Sequence, residues 1–384
     1  MLAEAPDSNR SDVSPFAQID PVNTDRNFLY DLLRTASPTG AEQNLQRKIY
    51  DHFKDIAHKI EPDVHGNLLL ALNPEAKRKV MLAGHCDQIG FLVKYVSPEG
   101  YIYLDSLGGT DSGVILGAHL VIHTKSGPIE GVIGRKPLHL QKGSEIQQIP
   151  VKDKIWLDIG ANDAAEVSEK VNVGDYVTFP LEVTELQNGL IAAPGLDNKA
   201  GLFVCLEALR RCAAKGCEVG FYVVSTVQEE IGSRGAATAT SRLSPDVGIA
   251  VDVIPSTDDP GYDMPPQQYV PCLLSRGPTI STGPNTNPVV EKMLIDAATR
   301  LDLPYQNDAS GKTAANDARV MQIADSGVAV ASVGIPQRNM HTQVEIVSLA
   351  DIDSAVELLV EFVSSVKEDT DFRPFFFGGE QSPS

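Results

Sequence analysis

The sequence predicts an α/β fold that is interrupted by a β-rich insertion. In the first quarter and in the second half of the chain, apolar strand-like runs alternate with amphipathic helical segments. Between about residues 89 and 182, short β-like runs are separated by glycine-bearing turns, and few helices are expected there. The run 221–224 is apolar at every position, which is typical of a central strand covered on both faces.

The composition limits the kinds of partner that the chain can have. The formal net charge of −19 over 384 residues repels phosphate backbones and anionic lipids, which argues against nucleic acid and membrane partners. No run approaches the ~18 apolar residues of a membrane-spanning helix. Residues 1–7 lack the basic and apolar regions of a secretory leader. Five cysteines without regular spacing predict reduced thiols, so a cytoplasmic location is expected.

The part before the insertion is expected to hold a tail, two helices and two strands. Residues 1–24 are rich in Asp, Ser, Asn and Pro, which predicts a flexible tail. Thr39 and Glu42 stand in the T-x-x-E pattern of a capping box, which predicts a helix start. The predicted helices cover 26–35 and a segment with Leu45, Ile49, Phe53 and Ile56 on one face, and the predicted strands cover 67–72 and 80–84.

The remaining elements follow from the same patterns. Six strands are predicted in the insertion, at 91–95, 101–104, 119–123, 129–133, 155–159 and 176–179. After it, helices are predicted at 200–215, from 288, near 316 and from 349, and strands at 219–226, 248–253 and 328–333. The predicted domains are therefore a discontinuous α/β domain of residues 25–88 and 183–370, an insertion of residues 89–182, and a C-terminal tail of residues 371–384.

Two polar side chains follow directly after the predicted strand 80–84. His85 and Asp87 stand two residues apart, so both are expected to face the same way. An Asp beside a metal-bound His usually accepts the second ring N–H and fixes the tautomer. Cys86 between them would face the other way as a small apolar side chain. An ordinary strand end with an Asx turn would have the same residues, so the pattern leaves both interpretations open.

Three further acids stand where strands and helices meet. Asp197 precedes a long helix, where it would either bridge two cations or cap the helix. Glu229 and Glu230 follow the predicted strand 219–226, at the edge where α/β sheets place their sites. Because adjacent side chains diverge, one would bind a metal while the other reaches an attacking water. A solvated acidic loop is the alternative.

Asp252 and His341 complete the set of candidate residues. Asp252 lies in an apolar run, where a buried charge is costly unless it is paired with Arg or Lys or bound to a metal. His341 follows a polar loop after the predicted strand 328–333, where a lone His is more often structural than a ligand. The other six histidines are interpreted as structural: His52, His58, His65, His119, His123 and His139.

All these candidate residues fall at or near predicted strand ends of the α/β part. Two histidines and several carboxylates are the ligand types that hold divalent zinc, cobalt or manganese. The sequence therefore predicts a two-metal hydrolase that cleaves an amide bond with a metal-activated water.

The order of the motifs resembles the M42 family of metallo-aminopeptidases. The motifs are H-x-D, G-L-D-N-K, Q-E-E-I-G-S-R-G-A, V-D-V and H-T, and the likeness extends from about Ser37 to Val366. Relatives in this family include the tetrahedral TET peptidases and proteins once labelled cellulase M. The resemblance implies a mixed-sheet α/β/α dinuclear-metal exopeptidase domain, with an inserted β domain used for dimer contacts. It also implies a homo-oligomer, since dimers of many members assemble into a hollow dodecamer.

The resemblance also implies how the site works. Each subunit would bind two divalent metal ions, with zinc expected first and cobalt or manganese as alternatives. Glu229 would act as general base and then acid, Asp87 would orient His85, and short peptides would be the substrates. The implied ligands are Asp197 as the bridge, His85 and Asp252 at one metal, and Glu230 and His341 at the other.

The chain departs from the usual family pattern at positions that are not implied ligands. Cys86 stands where Met is frequent, Lys199 where Arg often stands, and residues 315–318 read A-N-D-A in place of G-T-D-A. Three other functions stay open: a dinuclear deacylase or carboxypeptidase, a glycoside hydrolase, and a non-catalytic assembly protein. A glycoside hydrolase would use two carboxyls and leave both histidines without a role.

Overall fold

The chain forms an eleven-stranded mixed sheet and a separate closed barrel of six strands. This computed structural model describes residues 24–143, 148–150, 152–261 and 270–375. The strands are β1 Lys59–Pro62, β2 Leu68–Leu72, β3 Lys79–His85, β4 Gly90–Val96, β5 Ile102–Leu107, β6 His119–Thr124, β7 Gly127–Ile133, β8 Leu157–Asp158, β9 Tyr176–Thr178, β10 Thr184–Glu185, β11 Leu190–Ala193, β12 Gly220–Thr226, β13 Val247–Pro255, β14 Thr279–Thr282, β15 Gln306–Ala309, β16 Ala329–Arg338 and β17 Glu345–Ser348. The α-helices are α1 Arg26–Leu33, α2 Gln43–Phe53, α3 Ala164–Ser168, α4 Leu196–Lys215, α5 Arg234–Leu243, α6 Pro288–Arg300, α7 Ala318–Met321 and α8 Leu349–Ser365.

Four parallel strands form the centre of the main sheet. They lie in the order β12-β3-β13-β16, and antiparallel strands are added at both sides. Val80 and Leu82 of β3 pack into one apolar cluster with α4 and α8, whereas Met81 and Ala83 pack into another with α5 and α7. Because successive side chains of a strand point to opposite faces, this alternation requires helices on both sides. The predicted α/β/α arrangement is confirmed.

A glycine lets the long helix α4 approach the central strand β3 closely. A Cβ built on Gly84 would lie 2.7 Å from Leu202 Cα and 2.8 Å from Leu202 N, both backbone atoms of α4. These atoms cannot move unless the whole helix shifts. The contact is therefore part of the packing that holds α4 against the sheet.

Gly84→Ala is expected to lower the free energy of unfolding by about 1–3 kcal/mol, the usual cost of overpacking a well-filled core. Gly134→Ala is the matched control, because a Cβ on Gly134 would meet nothing within 4 Å. Denaturant titration of both variants measures the difference. Equal unfolding free energies for the two variants would contradict the close contact between β3 and α4.

The insertion forms the closed barrel β4-β5-β8-β7-β6-β9. All six strands predicted between residues 89 and 182 are present, and alternate residues such as Phe91, Val93, Leu120 and Ile122 fill the barrel core. Among the described residues of the insertion, the one α-helix is α3, which has five residues. The exact domain boundaries and the role of the barrel in dimer contacts remain predictions.

Some predicted elements differ from the observed ones in their bounds or in how they begin. The first helix ends at Leu33 and the second at Phe53, so Ile56 lies beyond it and packs against the core from the next segment. The capping box is wrong: α2 begins only at Gln43, with Glu42 at its N-cap and no side-chain cap, and the Thr39 hydroxyl donates to Asp87. The sequence did not predict β1, β10, β11, β14, β15, β17, α3 or α5.

The two predicted tails are described only at their inner ends. Thr24 donates a hydrogen bond to Asp353, and Phe372 is buried beneath Arg78, while residues 1–23 and 376–384 lie outside the described residues. In the part of the chain that the structure describes, no helix has the length and apolar character needed to cross a membrane.

Candidate metal centre

The carboxyl ends of the central parallel strands meet at one edge of the main sheet. His85 ends β3 and is paired in register with Thr226, which ends β12, while Asp252 lies in the neighbouring strand β13. Glu229 and Glu230 follow β12 in the chain. Parallel strands bring residues at their carboxyl ends together, so the topology places these side chains in one region.

Two groups of candidate ligands lie at this edge. In the first group, His85 Nε2 lies 3.2 Å from Asp197 Oδ1 and 3.6 Å from Asp252 Oδ1. In the second group, His341 Nε2 lies 3.2 Å from Asp197 Oδ2 and 3.6 Å from Glu230 Oε2. Within each group the ligand atoms are within 4.8 Å of one another. Asp197 belongs to both groups and turns one oxygen toward each histidine.

The donor set fits divalent cations because its acids have no Lys or Arg partner among the described residues. Four acids converge here, Asp197, Glu229, Glu230 and Asp252, and within the described ranges no Lys or Arg forms an ion pair with them. Glu230 Oε1 is buried without a hydrogen-bond partner. Unpaired buried carboxylates are costly unless a cation compensates them. Imidazole and carboxylate donors are the common ligands of zinc and related ions.

Burial and neighbouring side chains shift the pKa values of these acids. Burial, followed by the charge of Asp197, raises the pKa of Glu230 well above its usual value. Burial also raises the pKa of Glu229 to about 7, with Asp252 and Asp317 acting in the same direction and His85 opposing them. Burial would raise the pKa of Asp197 as well, but hydrogen bonds from His341 and His85 hold it below its usual range.

Asp87 holds the two glutamates by their backbone. The buried carboxylate accepts hydrogen bonds from Glu229 N at 2.9 Å and Glu230 N at 3.2 Å, and from Thr39 Oγ1 at 2.9 Å. His85 Nδ1 lies 3.0 Å from the Asp87 carbonyl oxygen and 3.5 Å from its carboxylate. The predicted orienting role toward His85 stays a prediction, and the backbone carbonyl makes the shorter contact.

Glu229 lies beside the ligand groups without belonging to either of them. Its Oε1 accepts a hydrogen bond from Ser233 Oγ at 3.0 Å, and its side chain lines a cavity of about 500 Å³. This cavity also contains His85, Asp197 and His341, and a polar wall of β14 and β15 bounds it. The carboxylate is thus free to contact a substrate or a water in the cavity.

The simpler interpretations of the acidic residues are not realised. Gly195, with φ +73°, occupies the N-cap of α4, and Asn198 Oδ1 accepts from Gly201 N in the first turn, so Asp197 is not needed as a cap. Asp252 forms no ion pair with Arg or Lys among the residues that the structure covers, and its Oδ1 accepts only from Val253 N besides facing His85. Cys86 is buried in the apolar core, as expected. None of the other six histidines belongs to either ligand group.

Comparison with known proteins identifies the family. The model of the family described as M42 glutamyl aminopeptidase matches residues 66–358. The chain belongs to the M42 family. This M42 member is therefore an aminopeptidase, a hydrolase of peptide bonds.

Relatives of this M42 aminopeptidase agree along most of its length. A lysyl aminopeptidase of Pyrococcus furiosus is 33% identical over 330 residues, which cover 85% of this chain and 92% of that protein. A TET aminopeptidase structure from Thaumarchaeota archaeon SCGC AB-539-E09 has a TM-score of 0.84 and 29% identity, with 89% of this chain and 96% of that chain covered. The TET1 peptidase of Pyrococcus horikoshii, described as assembling into a tetrahedron or a large octahedral shell, has a TM-score of 0.79 and 23% identity, with 89% and 99% covered.

One residue that contacts the site of this M42 aminopeptidase was missed by sequence reasoning. Glu345 accepts hydrogen bonds from the backbone of both Asp197 and His341. A signal was present, because an acid stands between apolar residues in 344–347, four residues after His341. A buried acid in an apolar strand requires a partner, and the same reasoning had already selected Asp252.

Proposed function

We propose that this M42 member is a dinuclear metal-dependent aminopeptidase that removes N-terminal residues from short peptides. The observation that carries the proposal is the position of Asp197, whose two oxygens face the two histidines of separate ligand groups. A carboxylate can serve two cations in this way, whereas an imidazole offers a single nitrogen lone pair.

The chain's residues have separate roles in holding the cations. His85 and Asp252 with Asp197 would hold one divalent ion, and Glu230 and His341 with Asp197 would hold the other. Zinc suits these donors best, and cobalt or manganese fit a carboxylate-rich set as well. Divalent cations held by these residues would supply Lewis acidity, which would lower the pKa of a water molecule and polarise the scissile carbonyl.

Glu229 carries the proton in the proposed reaction. Its carboxylate takes a proton from the attacking water and returns it to the leaving nitrogen, the work of a general base and then a general acid. Asp87 supports this role because its carboxylate accepts from Glu229 N and so fixes the backbone that carries the side chain. The Ser233 hydroxyl donates to Glu229 Oε1 and restricts the rotation of the carboxylate.

We also propose an oligomeric state and a location for the protein. The barrel would contribute dimer contacts, supported by its exposed aromatic side chains Tyr95, Tyr101 and Trp156. The dimers would form a larger shell of the kind described for the TET1 peptidase, such as a tetrahedral dodecamer. A cytoplasmic location is supported by the five free cysteines.

The test uses chelator-stripped protein that is reloaded separately with zinc, cobalt or manganese. Each form is incubated with a mixed pool of free and N-acetylated short peptides, and mass spectrometry identifies the products. We expect loss of single N-terminal residues from the free peptides only, restored by metal. Cleavage of acetylated peptides would indicate a deacylase or carboxypeptidase instead. A metal-bound protein that cleaves none of the peptides would indicate a non-catalytic role.

A further inference from the structure

We propose that Glu345 is a positioning residue that sets the spacing of the two ligand groups by holding the backbone of Asp197 and His341. This inference rests on the proposed two-metal function. Glu345 Oε2 accepts a hydrogen bond from Asp197 N at 3.0 Å, and Oε1 accepts one from His341 N at 3.0 Å. One fully buried carboxylate at the start of β17 therefore ties the first turn of α4 to the loop between β16 and β17.

Both anchored ligands need such a partner because their backbone is irregular. Asp197 has φ −79° and ψ 104°, outside the helical region, although it lies in the first turn of α4. His341 has φ +61°, a left-handed conformation that is uncommon for residues other than glycine. Neither residue lies in a strand ladder, and a buried N–H without an acceptor is costly. Glu345 supplies an acceptor to both N–H groups.

A carboxylate is required for this double contact. It accepts hydrogen bonds at both oxygens, whereas a glutamine side chain accepts at one end and donates at the other. In Glu345→Gln, an NH₂ group would face one of the two backbone N–H groups.

The burial of the Glu345 carboxylate is not explained by an ion pair. Within the described part of the chain, no Lys or Arg forms a salt bridge with Glu345. The buried neighbour Lys199 directs its ammonium to Thr35 O and to Gln88 Oε1 instead. Among the described residues, the hydrogen bonds to the Glu345 carboxylate come from the two ligand N–H groups.

The two ligand groups depend on Glu345 unequally. Asp197 and His341 both belong to the group that includes Glu230, whereas the group of His85 and Asp252 shares only Asp197 with it. Disturbing the Glu345 hydrogen bonds is therefore expected to lower the metal affinity of the His341 site more than that of the His85 site. A general loss of stability would not discriminate between the two sites.

The experiment titrates the full-length, metal-free Glu345→Gln variant with cobalt(II) and follows the two binding steps by absorption and calorimetry. We expect the affinity of the step at the His341 site to fall about 10–100-fold, the usual effect of removing a partner that orients a metal ligand. The affinity of the step at the His85 site should change less. At saturating cobalt, kcat should recover toward that of the natural chain while KM stays unchanged. Glu207→Gln is the matched control, since Glu207 is also buried but bonds to Arg210 and Arg211 away from the site.

Unchanged affinity at both steps in Glu345→Gln would overturn the proposal, and so would an equal loss in Glu207→Gln. If Glu345→Gln does not fold, Glu345→Asp decides in its place, because a side chain that is one methylene shorter cannot keep both 3.0 Å contacts and should show the same selective weakening. Failure of the proposed function is distinguishable, because the natural chain would then bind fewer than two ions or cleave no peptide.

Discussion

Asp197→Asn is expected to remove both metal ions and to lower turnover by about 10³-fold or more. Metal-ion catalysis stabilises the transition state by several kcal/mol, and each 1.36 kcal/mol corresponds to a factor of ten in rate. Asp197 is the only residue shared by the two ligand groups found in the described part of the chain. The asparagine has the same shape but no charge, and only one of its two terminal atoms can bind a cation.

Two further variants make the test of Asp197 specific. Asp252→Asn and His341→Ala each change a residue that belongs to one ligand group, so each is expected to lose one ion. Metal content is measured by atomic emission after gel filtration, and turnover is measured on a free peptide. Circular dichroism in chelator shows whether each variant is folded. An Asp197→Asn protein that retains one tightly bound ion, in the way that Asp252→Asn does, would contradict the shared role.

Glu229→Gln is expected to lower kcat by about 10²–10⁴-fold, the range for removing a general acid or base, while both metal ions stay bound. The carboxamide has the size of the carboxylate and can still accept from Ser233 Oγ, but it cannot take a proton from water. Glu229 is in neither ligand group, so metal content should not change. The measurement combines kcat on a free peptide with metal analysis of the same sample.

Glu230→Gln provides the contrast to Glu229→Gln. The two residues are adjacent and carry the same side chain, and Asp87 holds both of them by their backbone N–H. Only Glu230 faces His341, at 3.6 Å, so its amide variant should lose metal as well as turnover. Near-normal turnover in Glu229→Gln, or metal loss equal to that in Glu230→Gln, would contradict the proposal that Glu229 carries the proton.

Long apolar or regularly alternating segments were predictable from the sequence. The six barrel strands and the central strands β3, β12 and β13 agree with their predictions because their own side chains make one or both faces apolar. β14, β15 and β10 were missed because they are two to four residues long and partly polar, so their pairing depends on neighbours far away in the chain. The capping-box pattern failed as well, because α2 begins only at Gln43 and Thr39 lies before its N-cap.

The fold class and the candidate ligand types were predictable from the sequence, because burial and donor chemistry are properties of each residue and its near neighbours. The contacts that these residues make depend on the folded chain. It placed one oxygen of Asp197 toward His85 and the other toward His341, directed Asp87 to the backbone of two glutamates, and brought Glu345 to the N–H groups of two candidate ligands. Hydrogen bonds and metal coordination act over about 2–3 Å. Residues far apart in the chain meet at such distances only after the sheet has formed.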